Sequence, residues 1–488
     1  MKIYLFGAVM PIVAGLLTGC EDGTSPAVRD GAGAARQSNP AAVQHRGTRP
    51  SEELSNRLAA QIPGFGGVFL EEGRYLVLWV TDLPRQERKA HEIARATFGS
   101  WRWSGHLPGS PTIAVRQGQF TWNQLSAWRD RVEHLLPNVP DITSVDLEER
   151  RNRVVIGIAK RSTRAAVLRK LAEAGVPVEA TILEEEPIMM SSTDEEAADT
   201  VWDDPAAGSG SCSTSSSEIS ASCISVGNHL HDMVRPIVGG LRIEWQNPYR
   251  NASDHCTLGF TVRMLNHPDQ FGFITNSHCT GEQGGVHNRV FGQPYNYDPY
   301  RIGVEVIDPP YQKDWWDPNF YRGTDAAVAF VYANVDGYDQ GFGRIAKPTT
   351  WGTNGVEPGP LEIDPNQRTL PILRERAPIE GDVVDKIGQR SGWTYGAIRQ
   401  VCKTRRQYIG YVPRYNRHTC ETEAKLTNEF GDSGSPVFYW IWDGEIHLMG
   451  ILHTRSSSIF GTYGWWSPLS DMRVELGDFQ TYPGGPYF

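Results

Sequence analysis

The distribution of apolar and polar residues divides the chain into a front region, which ends at residue 190, and a back region, which begins at residue 235. In the front region, two apolar runs surround a Glu-Glu-Gly turn over residues 66–80, which predicts a β-hairpin. Residues 121–136 place apolar side chains on one helical face and start with a Thr-x-x-Gln capping box, and residues 162–175 predict another helix that ends at a glycine. We expect a small α+β domain over residues 66–190.

The back region has a different pattern. From Ile237 onward, short apolar runs such as CTLGFTVRML, DAAVAFVYA and IHLMGILH alternate with turn residues. This pattern predicts an all-β domain, a barrel or a sandwich, over residues 235–488. Two polar segments flank the front domain. Residues 21–65 are rich in Ala, Gly, Ser, Pro and Arg and predict a flexible tether, and residues 191–234 are rich in Ser, Gly and acidic residues and predict a linker.

Residues 1–20 predict an export signal. Lys2 precedes an apolar run that is too short to span a membrane comfortably. The segment ends in Leu-Thr-Gly-Cys, which resembles the bacterial lipoprotein signal and implies that Cys20 is lipidated; a plain secretory signal is the alternative. Two or more acyl chains would anchor the protein stably to a membrane. Glu21 is not the aspartate associated with inner-membrane retention, so we expect an outer-membrane lipoprotein, or a protein secreted after processing.

Composition excludes some classes of function. The chain has 488 residues and a net charge of −10, and its basic residues form no stripe, so nucleic-acid binding is not expected. No combination of Cys and His has zinc-ligand spacing, and we predict neither a metal nor a cofactor. Apart from Cys20 the chain has an even number of cysteines, which in an exported protein indicates disulfides. They are Cys212, Cys223, Cys256, Cys279, Cys402 and Cys420.

The segment GDSGSPVF, which begins at Gly431, is either a glycine turn or the loop of a nucleophilic serine, Ser433. A nucleophile needs a base and an orienting acid. His278 ends an apolar run, and Asp325 begins another, so both are placed at the edge of a core. Their order along the chain is His, Asp, Ser, which differs from that of α/β-hydrolases, and Ser435 breaks the G-x-S-x-G pattern of those enzymes.

These motifs resemble the chymotrypsin-like serine proteases, and most closely the bacterial branch of alpha-lytic protease and the streptogrisins. IVGGLRIEW is similar to that branch's mature N-terminus, and NASDHCTLGFTVR with GFITNSHCT is similar to its first barrel. GQRSGWTYGAI and GDSGSPVF are similar to two further segments of the family. The resemblance covers residues 237–470.

The resemblance implies a role for each residue. Ser433 would be the nucleophile, His278 the general base and then acid, and Asp325 its orienting partner. The N–H groups of Gly431 and Ser433 would form the oxyanion hole. The implied fold is two six-stranded antiparallel β-barrels with the site between them. The front domain resembles this branch's pro-regions, which act as folding catalysts and inhibitors; an unrelated accessory domain is the alternative.

The resemblance also bears on disulfides and specificity. Cys256 and Cys279 occupy a disulfide position of the family, while nearest-neighbour pairing joins Cys402 to Cys420 and Cys212 to Cys223. The base of the primary pocket falls at Thr427, which carries no charge to attract Arg or Lys. The substrate-pairing strand contains His453, Thr454 and Arg455. Arg455 would narrow the pocket and favour an acidic substrate residue, or would turn outward to solvent.

We therefore expect a serine endopeptidase that is made as a self-processing precursor and acts on proteins or peptides. Its partners would be those substrates, its own pro-domain, and a membrane through the lipid anchor only. A catalytically inactive homologue, which binds peptides as a surface lipoprotein, is the alternative.

Overall fold

The structure is a computed structural model. It describes residues 49–107, 109–186, 188–190, 227–247, 252–313, 320–337, 339–355, 357–408, 415–442, 444–458 and 461–485. The predicted signal peptide, its Cys20, most of the tether, and most of the linker with Cys212 and Cys223 lie outside these residues. No helix within the described residues has the length and apolar character needed to cross a membrane.

The described chain is mostly β-structure with few helices. Its α-helices are α1 Glu53–Gln61, α2 Leu83–Phe98, α3 Trp122–Leu135, α4 Arg164–Glu173 and α5 Leu469–Leu476. The front strands are β1 Phe65–Glu71, β2 Tyr75–Val80, β3 Thr112–Gln117, β4 Ile142–Glu148, β5 Arg153–Ile158, β6 Thr181–Glu185 and β7 Met189–Met190. The first back strands are β8 Arg242–Asn247, β9 Ala252–Thr257, β10 Phe260–Met264, β11 Phe271–Thr275, β12 Val290–Gly292, β13 Arg301–Ile307, β14 Gln312–Lys313, β15 Phe320–Arg322 and β16 Ala327–Val331. The remaining strands are β17 Arg344–Ala346, β18 Thr369–Glu375, β19 Val383–Gly388, β20 Gly392–Tyr408, β21 Tyr415–Ala424, β22 Pro436–Trp440, β23 Ile446–Ser458, β24 Gly461–Pro468 and β25 Phe479–Gln480.

The local predictions for the front region are confirmed. Strands β1 and β2 form the antiparallel hairpin, and β3 joins it in parallel. The capping box is present at the start of α3, because the Thr121 hydroxyl accepts a hydrogen bond from the Gln124 N–H and the Gln124 side chain accepts one from the Thr121 N–H. Helix α3 buries Trp122, Leu125 and Val132 against the front core.

The ordered front region begins earlier than the sequence predicted. Helix α1 lies within residues 21–65, where we expected a flexible tether. Leu54, Leu58 and Ile62 are buried in the same core as α3. Their spacing of four residues matches a helical face, but three apolar residues among many polar ones give a weak pattern, and packing against the rest of the front region supplies the stability.

An eight-stranded sheet lies in the first half of the back region. Its strand order is β25-β10-β11-β16-β13-β12-β8-β9. Strand β11 pairs in antiparallel fashion with both β10 and β16. The loop that follows β11 and the loop that precedes β16 therefore lie at the same end of neighbouring strands.

A second, larger sheet joins the front region to the rest of the back region. Its main path is β14-β15-β21-β24-β23-β22-β19-β20-β4-β5-β6. Strands β20 and β4 are antiparallel, with Thr404 opposite Val145 and Arg405 opposite Ser144. The short strand β7 also pairs with β20, in parallel. Strands of the front region thus extend a sheet of the back region.

Candidate active site

His278 and Asp325 are in direct contact. His278 lies in the turn after β11, and its Nδ1 is 2.7 Å from Asp325 Oδ2. The His278 backbone N–H donates a second hydrogen bond, of 3.1 Å, to Asp325 Oδ1. Both side chains are buried. A carboxylate accepts at both contacts, so the hydrogen of the imidazole is held on Nδ1 and Nε2 is left as the basic nitrogen.

Asp325 is strongly favoured in its ionised form. Burial opposes ionisation, but the charge of His278 and its hydrogen bond outweigh burial and hold the pKa of Asp325 well below its usual range. The backbone fixes the residue at both ends, since its N–H donates to Ser467 Oγ at 3.0 Å and its carbonyl accepts from the Asn276 side chain at 2.6 Å. An acid held in this way can orient a histidine and stabilise its cation.

Arg322 supports this loop from beneath. Its guanidinium donates to Asp308 Oδ1 at 2.8 Å and to Ser277 Oγ at 2.7 Å, one residue before His278. It also donates to the carbonyl of Ala326, one residue after Asp325. Asp308 and Arg322 are both buried. One buried arginine therefore contacts the neighbours of both catalytic candidates.

The loop that carries Ser433 is tied to the strand beneath His278. The Ser433 carbonyl accepts a hydrogen bond of 2.7 Å from the Thr257 N–H, and the Gly431 carbonyl accepts one of 2.9 Å from the Thr257 hydroxyl. Thr257 follows Cys256, which is bonded to Cys279, the residue after His278. A short path through backbone and disulfide thus links the Ser433 loop to the histidine.

Two glycines shape this loop. Gly431 and Gly434 have φ angles of +94° and +89°, which side-chain-bearing residues rarely adopt. A Cβ at position 434 would lie 2.1 Å from the Thr257 carbonyl oxygen, so the close approach of the two backbones also requires glycine there. Ser433 itself is 8% exposed. Among the described residues, the N–H groups of Gly431 and Ser433 have no hydrogen-bond acceptor.

Asp432 is fixed by a buried ion pair. Its carboxylate is 2.9 Å from Lys386 Nζ and accepts hydrogen bonds from the backbone N–H groups of Glu429, Arg390 and Ser391. Burial disfavours the Asp432 charge, but Lys386 and these donors lower its pKa from the usual value. Burial lowers the pKa of Lys386 in turn, against the opposing charge of Asp432.

The described disulfides join Cys256 to Cys279 and Cys402 to Cys420, the two pairs predicted there. Cys256, His278 and Cys279 place their nitrogen and sulfur atoms within 4.8 Å of one another. Such a group has the residue types of a metal site. The two sulfurs are bonded to each other, however, and only free thiolates bind zinc. The disulfide instead anchors the turn that carries His278.

The predicted specificity residues lie on or near β23. Thr454 and Arg455 pair with β24 on one side, and within the described strand pairings the other side of this stretch has no partner strand. Arg455 is exposed, and its guanidinium lies 5.6 Å from the centre of the Phe430 ring. The carbonyl of Thr427 accepts a hydrogen bond of 2.7 Å from the Thr394 hydroxyl.

His453 is placed differently from the other specificity residues. It is buried, and its Nε2 lies 3.0 Å from Glu421 Oε1. The same carboxylate pairs with His418 at 2.9 Å and with Arg405. Burial disfavours the Glu421 charge, yet these three basic groups hold its pKa well below its usual range. The His453 side chain therefore points inward and contacts the Glu421 carboxylate of the same chain.

Comparison with known proteins gives matches in solved structures only. No known protein family and no curated protein matches the chain. Among solved structures, the chain is similar to Thermobifida fusca Protease A, with 18% identity over 51% of this chain and 99% of that one and a TM-score of 0.33. It is also similar to Nocardiopsis Protease, with 17% identity over 51% of this chain and 99% of that one and a TM-score of 0.34. A third similar structure is a glutamic-acid-specific serine protease, which is described as using a histidine triad in substrate binding. Its identity is 16% over 50% of this chain and 100% of that one, and its TM-score is 0.33. Identities and TM-scores this low establish neither the fold nor the activity of this chain, so both are argued from its own residues.

The sequence did not indicate three residues that support the site. Lys386 is a side chain that forms an ion pair with Asp432. Gln283 donates a hydrogen bond of 3.0 Å to Asp325 Oδ2 and accepts one of 2.8 Å from the Tyr311 hydroxyl. Glu421 pairs with His453 and with the two other basic residues of the cluster described above. None of the three belongs to a local motif, so no pattern in the sequence distinguishes them.

Proposed function

We propose that this chain is the precursor of a serine endopeptidase with a His278–Asp325–Ser433 catalytic triad. The observation that carries the proposal is the pair of hydrogen bonds by which Asp325 holds the ring and the backbone of His278. This arrangement leaves Nε2 basic and pointing away from the carboxylate. The proposal includes the two six-stranded barrels implied by the family resemblance, with the site between them.

In the proposed mechanism, His278 Nε2 removes the proton from the Ser433 hydroxyl as Ser433 attacks the peptide carbonyl. The N–H groups of Gly431 and Ser433 stabilise the resulting oxyanion; the absence of an acceptor for them among the described residues is consistent with this role. His278 then gives the proton to the leaving amine, and an acyl-enzyme forms on Ser433. Water then attacks the acyl-enzyme: His278 Nε2 takes a proton from the water and returns it to the Ser433 oxygen as the carboxylic acid product leaves.

The front region would act as a pro-domain. Its contacts with the back region support this role, because they include strand pairing between β4 and β20 and partly buried ion pairs. Lys403 is 2.8 Å from Glu186, and Arg150 is 2.9 Å from Glu380. An antiparallel β-domain has many non-local contacts and folds slowly, and a partner that presents a preformed strand would speed its assembly.

The remaining parts of the proposal concern export. Residues 1–20 would direct the precursor out of a bacterial cell, Cys20 would carry the lipid, and the enzyme would cut its own linker within residues 191–234. Protein or peptide substrates would be its partners together with the front region, and the membrane would be contacted through the lipid alone. An inactive, peptide-binding homologue remains the second candidate.

A fluorophosphonate probe separates the two candidates, because it reacts only with an activated serine. We expect the wild-type chain, or a fragment that contains Ser433, to be labelled at Ser433, as located by mass spectrometry. Ser433→Ala and His278→Ala should both lose the label while their circular dichroism and melting temperature remain those of a folded protein. A folded wild-type chain that is not labelled at Ser433 would identify the inactive homologue.

A further inference from the structure

A histidine of the front region is inserted into an aromatic slot of the back region. His106 stacks on Tyr395, with ring centres 3.8 Å apart and planes inclined by 13°. The rings of Trp351 and Trp440 lie 5.3 and 5.1 Å from the His106 ring and close the slot on other sides. Trp393 packs against both tryptophans. We call these four rings and Asp385, which lies at the inner end, the aromatic slot.

Asp385 makes the slot a polar site as well as an apolar one. It is fully buried, and its Oδ1 receives a hydrogen bond of 2.7 Å from the Trp393 indole and lies 2.8 Å from His106 Nε2. Within the described residues its Oδ2 has no hydrogen-bond partner. A buried carboxylate needs donors, because desolvation without compensation costs several kcal/mol. Without His106, the indole of Trp393 would be the one donor left among the contacts described for this carboxylate.

We propose that the aromatic slot is a binding site for an imidazole side chain, which the precursor fills with its own His106. The slot covers one face of the ligand ring with Tyr395 at stacking distance, and its Trp351 and Trp440 rings are inclined to the ligand ring by 83° and 45°. It ends in a carboxylate that accepts a hydrogen bond from the ring edge. A flat ring with an N–H donor satisfies both features, and its protonated form would also interact favourably with the surrounding rings. An aliphatic ammonium group would lack the stacking contact.

The segment that delivers His106 is closely fitted to the back region. The Gly105 N–H donates a hydrogen bond of 3.1 Å to the Trp440 carbonyl, and a Cβ at position 105 would lie 2.4 Å from the Trp440 ring. One residue earlier, the Ser104 N–H donates to the Tyr439 hydroxyl. Arg102 forms an ion pair of 2.6 Å with Glu445. These contacts place the backbone so that the His106 ring reaches Asp385.

An exposed tryptophan lies beside the slot, and the slot has a consequence for the mature enzyme. Trp442 is 71% exposed, and its ring centre lies 5.3 Å from that of Trp440, so an exposed aromatic side chain extends the slot outward. If the front region is released after processing, which rests on the proposed function, the slot is vacated. It would then present a subsite for a histidine side chain of a protein substrate.

The binding chemistry can be tested in the full chain without any activity. In a Ser433→Ala background, His106→Gly removes the ring, and we expect imidazole to raise its melting temperature by a few °C in a saturable manner, since a ligand that binds only the folded state stabilises it. The parent chain, in which His106 fills the slot, should not respond. Thiazole, a five-membered aromatic ring without an N–H, should have little effect. Adding Asp385→Asn to His106→Gly should weaken the response to imidazole at least tenfold in apparent Kd.

Three results would overturn the proposal: no saturable response of His106→Gly to imidazole, an equal response to thiazole, or an equal response in the Asp385→Asn variant. If His106→Gly does not fold alone, its refolding yield must depend on imidazole and not on thiazole, and an absence of that dependence also overturns it. The readout is thermal stability in a chain without the nucleophile. Failure of the slot proposal is therefore distinct from failure of the protease proposal, which the probe experiment detects.

Discussion

The ammonium of Lys386 lies 2.9 Å from the carboxylate of Asp432, and both side chains are completely buried. Asp432 directly precedes Ser433, the proposed nucleophile, so the ion pair fixes the loop that carries Ser433. We predict that Lys386→Met destabilises the chain by about 3–5 kcal/mol, because it leaves a buried carboxylate without its counter-charge. Chemical denaturation of a Ser433→Ala background measures the effect without self-cleavage.

The matched control is the double variant Lys386→Met with Asp432→Asn. Removal of both charges should recover a large part of the lost free energy of unfolding, since the amide oxygen of Asn can still accept hydrogen bonds from the Arg390 and Ser391 N–H groups. If the double variant is as unstable as the sum of the single variants, the ion pair is not what stabilises the loop.

The Cys256–Cys279 disulfide should support both stability and catalysis. It closes a separation of 23 residues, and its loss through paired Cys→Ala substitutions should lower the free energy of unfolding by about 3 kcal/mol. Because Cys279 adjoins His278, peptidase activity per folded molecule should also fall. Paired substitution of Cys402 and Cys420, with a separation of 18, is the control, and it should reduce stability without the same loss of activity.

The precursor should process itself. We predict that the wild-type chain yields a fragment whose N-terminus lies between about residues 190 and 237, and that Ser433→Ala does not. N-terminal sequencing or intact-mass analysis identifies the fragment. Identical full-length chains in both preparations, or identical cleavage in both, would contradict autoprocessing.

The contact between the front and back regions should be sensitive to pH. Burial and the neighbouring charge of Glu148 raise the pKa of Glu380 from 4.5 to about 7. Between these pH values the folded state binds a proton that the unfolded state has released, so the contribution of Glu380 to stability is fully present below pH 4.5 and is lost as the pH rises through about 7. In a Ser433→Ala background, Glu380→Gln should reduce this fall between pH 5 and 8 by at most ~3 kcal/mol. The control is Glu184→Gln, which replaces an exposed carboxylate and should leave this fall in stability unchanged.

The substrate preference should not be tryptic. Thr427 offers no charge for Arg or Lys, and the exposed Arg455 beside Phe430 would repel a basic substrate residue. We predict cleavage of a peptide library mainly after small or medium apolar residues, with acidic residues second. Arg455→Ala should lower the acidic share alone. Predominant cleavage after Arg or Lys would show that the pocket residues have been assigned incorrectly.

Local motifs explain why part of the site could be predicted from the sequence. His278 is next to a disulfide cysteine and closely follows strand β11, Asp325 closely precedes the neighbouring strand β16, and both features are visible as short patterns. Neighbouring antiparallel strands then bring the two residues together. The same reasoning predicted the capping box of α3, because the interaction joins residues three apart.

Contacts between distant parts of the chain could not be predicted in this way. Lys386 and Asp432 are 46 positions apart, and it is the strand position of Lys386 that places its ammonium at the Asp432 carboxylate. The pairing of β4 with β20 joins residues more than 250 positions apart, and no periodicity records such a register. The buried position of the His453 side chain likewise depends on its contact with the cluster of Glu421 and His418, which lie on strand β21.

The pairing of β4 with β20 has a consequence for the colloidal behaviour of the mature enzyme. Removal of β4 would leave the backbone around Thr404 as an open strand edge, and such edges invite other chains to add to the sheet. Lys403 and Arg406, now bound by Glu186 and by the Pro140 carbonyl, would then return to water beside that edge. Two like charges flanking the exposed strand would repel the same strand of a second molecule, so the groups that hold the precursor together would keep the released protease from aggregating.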